Sequence, residues 1–303
     1  MVSVLIPTYN GEKKIANILA SLAKQTYSDF EIIIGVDGST DNTIEFIKRQ
    51  QKIRKNKIEI FYQENAGRSV IRNNIAKIAK SDLLIFYDDD MMPLPDSVEK
   101  HIEFHNNYKK SILVANPIDK HNKVSDFLRY KEYLSKKWLM KYNSELVKMN
   151  KNNLFLTAAN FSIEKSLFTL LQGFDEQLTD AEDWDLAVRA FEKNIPLYFD
   201  ATNIAYHTDA LSCKMYIERQ RNYYFAQKKL DKHKKDLYGK YNNRSHNPSK
   251  SVFKLFIYFL IANKISVYLI DNNIIKFFPK RIKYRFYDIV VTGLSKIFSN
   301  RKL

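Results

Sequence analysis

Leu83-Leu84-Ile85-Phe86-Tyr87-Asp88-Asp89-Asp90 is the stretch that decides the fold of this chain. Its five apolar or aromatic residues are too few for a helix and are typical of a buried strand. Three carboxylates follow at the point where that strand should end. The carboxyl ends of strands in an open α/β sheet bind ligands, and adjacent carboxylates suit a hard divalent cation. Taken alone, the three acids are more typical of a solvated turn than of a metal site.

Strand-like and helix-like segments alternate ahead of this stretch. Short apolar runs at Val2–Ile6, Phe30–Val36 and Ile58–Tyr62 are each followed by an amphipathic segment. This alternation predicts βαβ units, and hence an α/β fold with a mostly parallel sheet flanked by helices. No G-x-G-x-x-G follows the first strand, which disfavours a dinucleotide-binding fold.

The ends of the four predicted strands share a polar, loop-forming character. They read Thr8-Tyr9-Asn10-Gly11, Asp37-Gly38-Ser39, Asn65-Ala66-Gly67-Arg68 and Asp88-Asp89-Asp90. In a parallel sheet these ends lie on one edge, so they can converge on a single ligand. A basic group, small residues and a carboxylate cluster together favour a nucleoside diphosphate with its divalent ion.

The second half of the chain is more mixed. The pattern predicts a long helical stretch over Val124–Met149 and a strand over Leu154–Ile163. A further helix begins with Glu182, Asp183 and Asp185. Acids in a first helical turn are favoured by the helix dipole alone, so Glu182 and Asp185 are as readily structural as functional.

Charge divides the chain into two parts. Of its 303 residues, 1–213 hold 28 Lys+Arg against 29 Asp+Glu, whereas 214–303 hold 21 against 5, which accounts for the net charge of +15. We therefore expect a first domain over 1–213 and a basic helical region over 214–303. A single cysteine, Cys213, fits a reducing compartment, and a strand starting at Val2 leaves no room for a signal peptide. A cytosolic location is expected.

The basic region has two apolar segments. Val252–Ile270 contains Asn263 and Lys264, which disfavour a membrane span, so it should dip into a membrane or be buried. Beyond Pro279, one helical face collects Ile282, Phe286, Ile289, Val290, Leu294 and Ile297. An apolar stripe with basic flanks is typical of a helix lying on an anionic membrane. The alternatives are packing on its own domain or on a second subunit; no nucleic-acid module accompanies the charge.

These motifs together resemble family 2 glycosyltransferases, the inverting enzymes of the glycosyltransferase-A fold. The resemblance covers roughly residues 1–208. It rests on Val2-Ser3-Val4-Leu5-Ile6-Pro7-Thr8-Tyr9-Asn10, Asp37-Gly38-Ser39-Thr40-Asp41, Asn65-Ala66-Gly67 with Arg72-Asn73, Asp88-Asp89-Asp90, Gly173-Phe174-Asp175-Glu176 and Glu182-Asp183-Trp184-Asp185. The family often shows two acids before Gly-Ser, whereas this chain keeps only the second, Asp37.

The resemblance implies a role for each matching residue. Asp183 would be the general base, and Asp90 would bind the Mn²⁺ or Mg²⁺ that bridges the diphosphate. His207 is a second candidate metal ligand, with a structural role as the alternative. The nucleotide would be held by Pro7, Thr8, Tyr9, Asp37, Asp88, Asp89 and one of Arg68 and Arg72.

The implied activity is metal-assisted, inverting transfer of a hexose or N-acetylhexosamine from a nucleotide sugar, most simply a UDP-sugar. A glycan or lipid-linked acceptor at the inner face of the plasma membrane would suit the basic tail, in the synthesis of a surface polysaccharide or glycolipid. Two rival functions are a sugar-nucleotide nucleotidyltransferase and an inactive membrane scaffold with the same fold.

Overall fold

The computed structural model describes residues 1–53, 57–119, 125–142, 144–208, 211–233, 235–241 and 251–303. The chain divides into two compact units. Residues 1–120 and 142–208 form the first, and residues 121–141 and 209–303 form the second. The sequence-based boundary at Cys213 lies close to the observed one, but residues 121–141 were assigned to the first domain and belong to the second unit.

The first unit is an α/β sheet with flanking helices. Its strands are β1 (Val2–Thr8), β2 (Phe30–Asp37), β3 (Ile58–Gln63), β4 (Leu83–Tyr87), β5 (Met91–Pro93), β6 (Ile112–Asp119), β7 (Leu146–Lys148), β8 (Asn160–Glu164) and β9 (Leu197–His207). Its helices are α1 (Ile15–Leu22), α2 (Thr43–Ile53), α3 (Arg68–Ile78), α4 (Ser97–Asn107), α6 (Lys165–Leu170) and α7 (Glu182–Glu192). The second unit includes α5 (Asp126–Leu139), which lies between β6 and β7 in the chain.

The sheet is mixed, with the order β3-β2-β1-β4-β8-β6-β9-β5 and β7 paired to β9. The predicted parallel half is confirmed, because β3, β2, β1 and β4 run parallel to one another. Beyond β4 the direction changes, since β8 pairs antiparallel with both β4 and β6. The carboxyl ends of the four N-terminal strands therefore lie along one edge.

A close contact between α3 and β2 places the start of α3 at this edge. Every residue of β2 is buried, as expected for a strand covered on both faces. A Cβ on Gly35 would lie 2.7 Å from side-chain atoms of Ile71 and Ile75, so only glycine admits α3 this close. The helix begins directly after Gly67, whose φ of 96° also favours glycine.

Two predictions for the middle of the chain were wrong in extent. The helix predicted over Val124–Met149 ends at Leu139, because the backbone beyond it pairs with β9: Met149 N donates to Leu197 O at 2.8 Å. The strand predicted over Leu154–Ile163 forms only from Asn160 to Glu164. Leu154, Phe155 and Leu156 are buried without joining a ladder, so burial alone produced their strand-like pattern.

The second unit is helical. Besides α5 it contains α8 (Cys213–His233), α9 (Lys235–Tyr238), α10 (Val252–Ile261), α11 (Lys264–Asp271) and α12 (Lys280–Thr292), followed by a π-helical turn at Gly293–Ile297. Its core joins Phe127 and Tyr130 of α5 to Ile217 of α8 and Val290 of α12. Tyr287 donates to Asp126 at 2.8 Å. These contacts explain why α5 belongs to the helical unit although it lies between two strands of the sheet in the chain.

The apolar stripe predicted to lie on a membrane from Ile282 to Ile297 is partly packed inside this unit. Val290 and Leu294 are fully buried, and Phe286 packs against the same core. These three residues therefore follow the alternative of packing on their own domain, whereas Ile282 is 58% exposed; contact of the stripe with a membrane stays a prediction. Within the described residues no single helix is long and apolar enough to cross a membrane, although α10 and α11, bent by 61° at their junction, pass that test of length and composition together.

Candidate active site

Contacts between the loops after β1, β2, β3 and β4 confirm that the four strand ends meet. Thr8 donates to Asp89 Oδ2 at 2.6 Å, which joins the end of β1 to the end of β4. The loop after β1 is also joined to the loop after β2, since Thr40 N donates to Asn10 Oδ1 at 2.8 Å. The candidate site is thus one rim built from four separate segments.

Asp37 organises the loop between β3 and α3. Its carboxylate accepts hydrogen bonds from Gln63 Nε2 at 2.7 Å, from Ala66 N at 2.9 Å and from Gly67 N at 2.9 Å. Asp37 is only 4% exposed, so these three hydrogen bonds hold its side chain against the loop. Contact between Asp37 and a nucleobase stays a prediction, whereas its role in shaping the loop is visible.

The three consecutive acids occupy three different environments. Asp88 forms an ion pair with Arg72, with Nη2 2.6 Å from Oδ1. Asp89 accepts the Thr8 hydroxyl. Asp90 Oδ2 lies 3.2 Å from His207 Nε2. The acids therefore do not form a solvated turn, and each carboxylate contacts a different partner.

The pKa values of Asp88 and Asp89 move in opposite directions. Burial acts to raise the pKa of Asp88, but the positive charge and hydrogen bonds of Arg72 outweigh it and hold the pKa below its usual value. Burial raises the pKa of Asp89 to about 7, with the charge of Asp90 adding to the effect and the Thr8 hydrogen bond opposing it. A bound cation would favour the ionised form of both.

Asp90 and His207 are the residues that fit a metal ion. His207 lies at the end of β9 opposite Met91, which brings it beside Asp90. The second ring nitrogen, Nδ1, is buried without a hydrogen-bond partner. Across the described parts of the chain, no group of three His, Cys, Asp or Glu side chains could hold a metal. One carboxylate and one imidazole would leave most of the coordination sphere of a divalent ion to phosphate and water oxygens.

Arg72 is buried inside the site and pairs with two carboxylates. Its side chain is 4% exposed, and besides Asp88 it pairs with Glu182, with Nη1 2.7 Å from Oε1. Arg68, one turn earlier on α3, is 52% exposed and lies 3.4 Å from Asp180. Arg72 thus bridges two carboxylates, and direct nucleotide contact stays a prediction for both Arg68 and Arg72.

Asp183 sits in the first turn of α7, next to the Arg72 partner Glu182. It is half-buried, and its Oδ1 accepts from Trp184 N at 2.7 Å. Burial, reinforced by the charge of Glu182, raises the pKa of Asp183 to about 7, while the charge of Arg72 opposes that rise. A general base is most effective when its pKa lies near the working pH, so Asp183 is suited to accept a proton.

The other signature residues hold the loop that precedes α7. Arg189 pairs with the buried Asp185 at 2.6 Å and donates to Gly173 O at 2.8 Å. Asn73 of α3 accepts from Phe174 N and donates to Phe174 O, both at 2.9 Å. A Cβ on Gly173 would lie 2.4 Å from Asn73 Oδ1. Asp185 is therefore structural, in line with the alternative stated from sequence.

A buried polar network behind β4 was not found from sequence. Tyr87, Ser97 and Asn203 are joined by hydrogen bonds of 2.8 and 2.6 Å. His101 and His105 both contact Ser162 at 2.8 Å, and burial lowers their pKa values to about 3 and about 4. The spacing of the two histidines, one turn apart on α4, was the available signal. Both are neutral and fix the sheet next to the site.

Comparison with known proteins agrees with this architecture. The family model described as glycosyl transferase family 2 matches residues 3–170. The Bacillus subtilis protein "Uncharacterized glycosyltransferase YfnE" is 33% identical over 50% of this chain and 38% of its own length. The Staphylococcus aureus "Poly(ribitol-phosphate) beta-N-acetylglucosaminyltransferase TarS" is 24% identical over 78% of this chain and 37% of its own length.

Solved structures show the same fold. The structure of S. aureus TarS 1-349 in complex with UDP has a TM-score of 0.58 at 19% identity and covers 99% of this chain and 91% of its own. The Pyrobaculum calidifontis mannosyltransferase PcManGT, in complex with GDP-Man and Mn²⁺, has a TM-score of 0.65 at 14% identity and covers 99% and 88%. The glycosyltransferase-A fold expected from the sequence is confirmed. The chain spans half or less of the length of the first curated relatives it matches, 38%, 49% and 41%.

Proposed function

The chain belongs to glycosyl transferase family 2, and from that premise we propose that it transfers a hexose or N-acetylhexosamine from a UDP-sugar to an acceptor hydroxyl with inversion. One observation carries the proposal: Arg72 bridges Asp88, at the end of β4, to Glu182, beside Asp183. The acids suited to the donor and the carboxylate suited to a base thus belong to one site.

The donor class is supported by structural relatives. TarS has been solved with UDP and with UDP-GlcNAc, and GalNAc-T7 with UDP and Mn²⁺. In our proposal the nucleotide lies against the loops of Thr8, Asp37 and Arg68, because these border the rim on the side of β1, β2 and α3. Pro7 and the exposed Tyr9 stay proposed contacts on the same loop.

Each residue then has a defined task in the reaction. Asp183 takes the proton from the acceptor hydroxyl as that oxygen attacks the anomeric carbon, and the nucleoside diphosphate leaves from the opposite face. Asp90 and His207 would hold a divalent ion, which when bound neutralises charge on the departing diphosphate. Arg72 pairs with both Asp88 and Glu182, so that of the two neighbouring acids on α7 Asp183 is the one without this ion pair, and burial raises its pKa to about 7.

The proposed acceptor is a glycan or a lipid-linked glycan at the inner face of the plasma membrane, in surface-polysaccharide or glycolipid synthesis. The B. subtilis protein "Putative teichuronic acid biosynthesis glycosyltransferase TuaG", 33% identical over 34% of this chain, supports the polysaccharide class. The basic, helical second unit supports a location on an anionic membrane.

The decisive variant is Asp183→Asn, with Glu192→Gln at the far end of α7 as the control. Each protein is incubated with a panel of nucleotide sugars, and donor binding is followed by thermal stabilisation while transfer or donor hydrolysis is followed by release of nucleotide. Asp183→Asn should bind the donor and release no nucleotide, whereas Glu192→Gln should match the wild type. Near wild-type turnover by Asp183→Asn would contradict the mechanism. Failure of every nucleotide sugar to stabilise the wild type would contradict the function.

A further inference from the structure

Large apolar side chains stand exposed on the second unit between α10 and the start of α12. On α10, Val252 and Phe253 are 81% and 71% exposed, and no residue of that helix is buried. Beyond α11, Phe277 is 85% exposed. The full set, here called the apolar face, is Val252, Phe253, Phe256, Phe259, Leu260, Ile265, Tyr268, Ile274, Phe277, Phe278 and Ile282. Exposed clusters of this kind mark interaction surfaces.

The apolar face is held in place by the rest of the unit. Ala262, at the junction of α10 and α11, is buried, and its Cβ lies 2.4 Å from where a Cβ on Gly293 would be. Arg301 Nη1 donates to the carbonyls of Phe259 at 3.0 Å and Ala262 at 2.9 Å, at the end of α10. These contacts fix the 61° bend between the two helices. The helices therefore present a bent, apolar surface and do not form a straight span.

The charges around the apolar face are almost all positive. Residues 251–285 hold seven Lys and Arg residues and a single acid, Asp271. The Asp271 carboxylate is already used, because it accepts hydrogen bonds from Cys213 N at 2.5 Å and Lys214 N at 3.2 Å at the start of α8. The cations Lys254, Lys264 and Lys276 are exposed. Of the seven cations, Lys283 pairs with Asp126 at 2.8 Å. The surface thus combines aromatic and aliphatic side chains with an excess of exposed positive charge.

We propose that the apolar face lies in the interface of an anionic phospholipid bilayer, with its lysines at the headgroups. Apolar side chains beside Lys and Arg are the composition of interfacial membrane binding, and each cation near an anionic surface adds to it. In a symmetric dimer this surface would pack against the same surface of a second copy. The lysines of the two copies would then lie close together and repel one another. Charge complementarity therefore favours lipid over a second copy of the chain.

This surface adds a partner to the proposed transferase, and of the α12 stripe it includes only the exposed Ile282. It supplies the membrane location on which a lipid-linked acceptor depends, and that part of the proposed function rests on it. Donor binding lies in the first unit and does not depend on it, so the two proposals can fail separately.

The test is co-flotation of the full chain with vesicles of phosphatidylglycerol and phosphatidylcholine, compared with phosphatidylcholine alone. Phe253→Ser, Phe256→Ser and Phe277→Ser are combined in one variant, because all three side chains are largely exposed and their loss removes no internal contact with the core. Truncation of residues 214–303 is unsuitable, because it would strip α5 of its packing partners. Phe225→Ser, an exposed aromatic on α8, is the matched control.

Wild type and Phe225→Ser should float with the anionic vesicles, and binding should fall with salt and on neutral vesicles. Each buried Phe contributes enough for about a tenfold change in partition, so the triple variant should bind at least roughly a hundredfold more weakly. Stabilisation by a nucleotide sugar should be equal in all three proteins. Undiminished flotation of the triple variant, no flotation of the wild type, or a dimer that the triple substitution dissociates would each overturn the proposal.

Discussion

Replacing Arg72 by Met tests whether the buried bridge between α3, β4 and α7 holds the site together. The substitution keeps most of the side-chain length and removes the charge that pairs with Asp88 and Glu182 at 2.6 and 2.7 Å. Breaking a buried ion pair by removing one partner costs about 3–5 kcal/mol, because the remaining charge is left uncompensated.

The structure places the expected cost near the lower end of that range. The side chain of Glu182 is 4% exposed and cannot be rehydrated in place, whereas that of Asp88 is 30% exposed and can regain water. We therefore expect Arg72→Met to lower the free energy of unfolding by about 3 kcal/mol at pH 7.5. Lys80→Met removes an exposed pair with Glu59, 3.3 Å apart, and should leave the free energy of unfolding almost unchanged, because exposed ion pairs contribute little.

The cost should also depend on pH, with a defined sign. The pKa of Asp88 is lowered in the folded wild type because Arg72 outweighs the opposing effect of burial. Its contribution to stability is therefore present above the unfolded pKa of about 3.9 and is lost as pH falls through the lower, folded value. Without Arg72, burial should raise the pKa of Asp88, so that this carboxylate is protonated more readily in the folded variant as the pH falls. The difference in free energy of unfolding between the wild type and Arg72→Met should therefore shrink from pH 7.5 to pH 5.

Urea unfolding followed by tryptophan fluorescence measures this difference. The chain has two tryptophans, so a Trp138→Phe background leaves Trp184, beside Asp183, as the only reporter. An Arg72→Met protein within about 1 kcal/mol of its parent at pH 7.5, or a difference of equal size at pH 5, would refute the bridging role.

Two further predictions concern the rim and the base. Gly11→Ala should disrupt the hydrogen bond between Thr8 and Asp89, because a Cβ at position 11 would lie 2.0 Å from Thr8 Oγ1. In a thermal titration with UDP, the apparent affinity of this variant should be at least roughly tenfold lower than that of the wild type. Gly239→Ala, where a Cβ would have open space around it, should match the wild type in the same titration. The rate of transfer should fall about tenfold per pH unit below about 7, because the base Asp183 has a pKa raised to about 7 and must be deprotonated to act; a kcat profile flat between pH 5 and 8 would contradict that role.

Much of the fold could be predicted from the sequence because the first four strands are apolar runs with clear stops. The acids after Tyr87 and the glycine at position 38 mark such stops by residue type alone. The reversal of direction at β8 could not be predicted, since a buried strand reads alike in parallel and antiparallel pairing. The strand predicted to begin at Leu154 was wrong for a similar reason, because a buried apolar residue such as Leu154 need not lie in a strand.

The site was predicted in its location but less well in its internal pairing. The sequence shows that Arg68 and Arg72 lie one turn apart on a helix. Arg72 is buried and Arg68 exposed because of contacts with residues at and just before α7, which is more than a hundred residues away in the chain. The sequence also left open whether Val252–Ile270 dips into a membrane or is buried, and only the structure shows that Val252, Phe253 and Phe256 are exposed. Periodicity identifies an apolar stripe on α12, but only the packing of Val290 and Leu294 decides that this stripe faces inward.

The most direct test of the central claim is thermal unfolding with UDP and Mn²⁺, for the wild type and for Asp90→Asn. A nucleotide present at a hundred times its Kd stabilises by about 2.7 kcal/mol, which corresponds to a rise of roughly 5–10 °C in Tm for a domain of this size. The account predicts that rise for the wild type with UDP and Mn²⁺, a smaller one when EDTA replaces Mn²⁺, and none beyond the EDTA value for Asp90→Asn. An unchanged Tm of the wild type with UDP and Mn²⁺, or an equal Mn²⁺-dependent rise in Asp90→Asn, would contradict it.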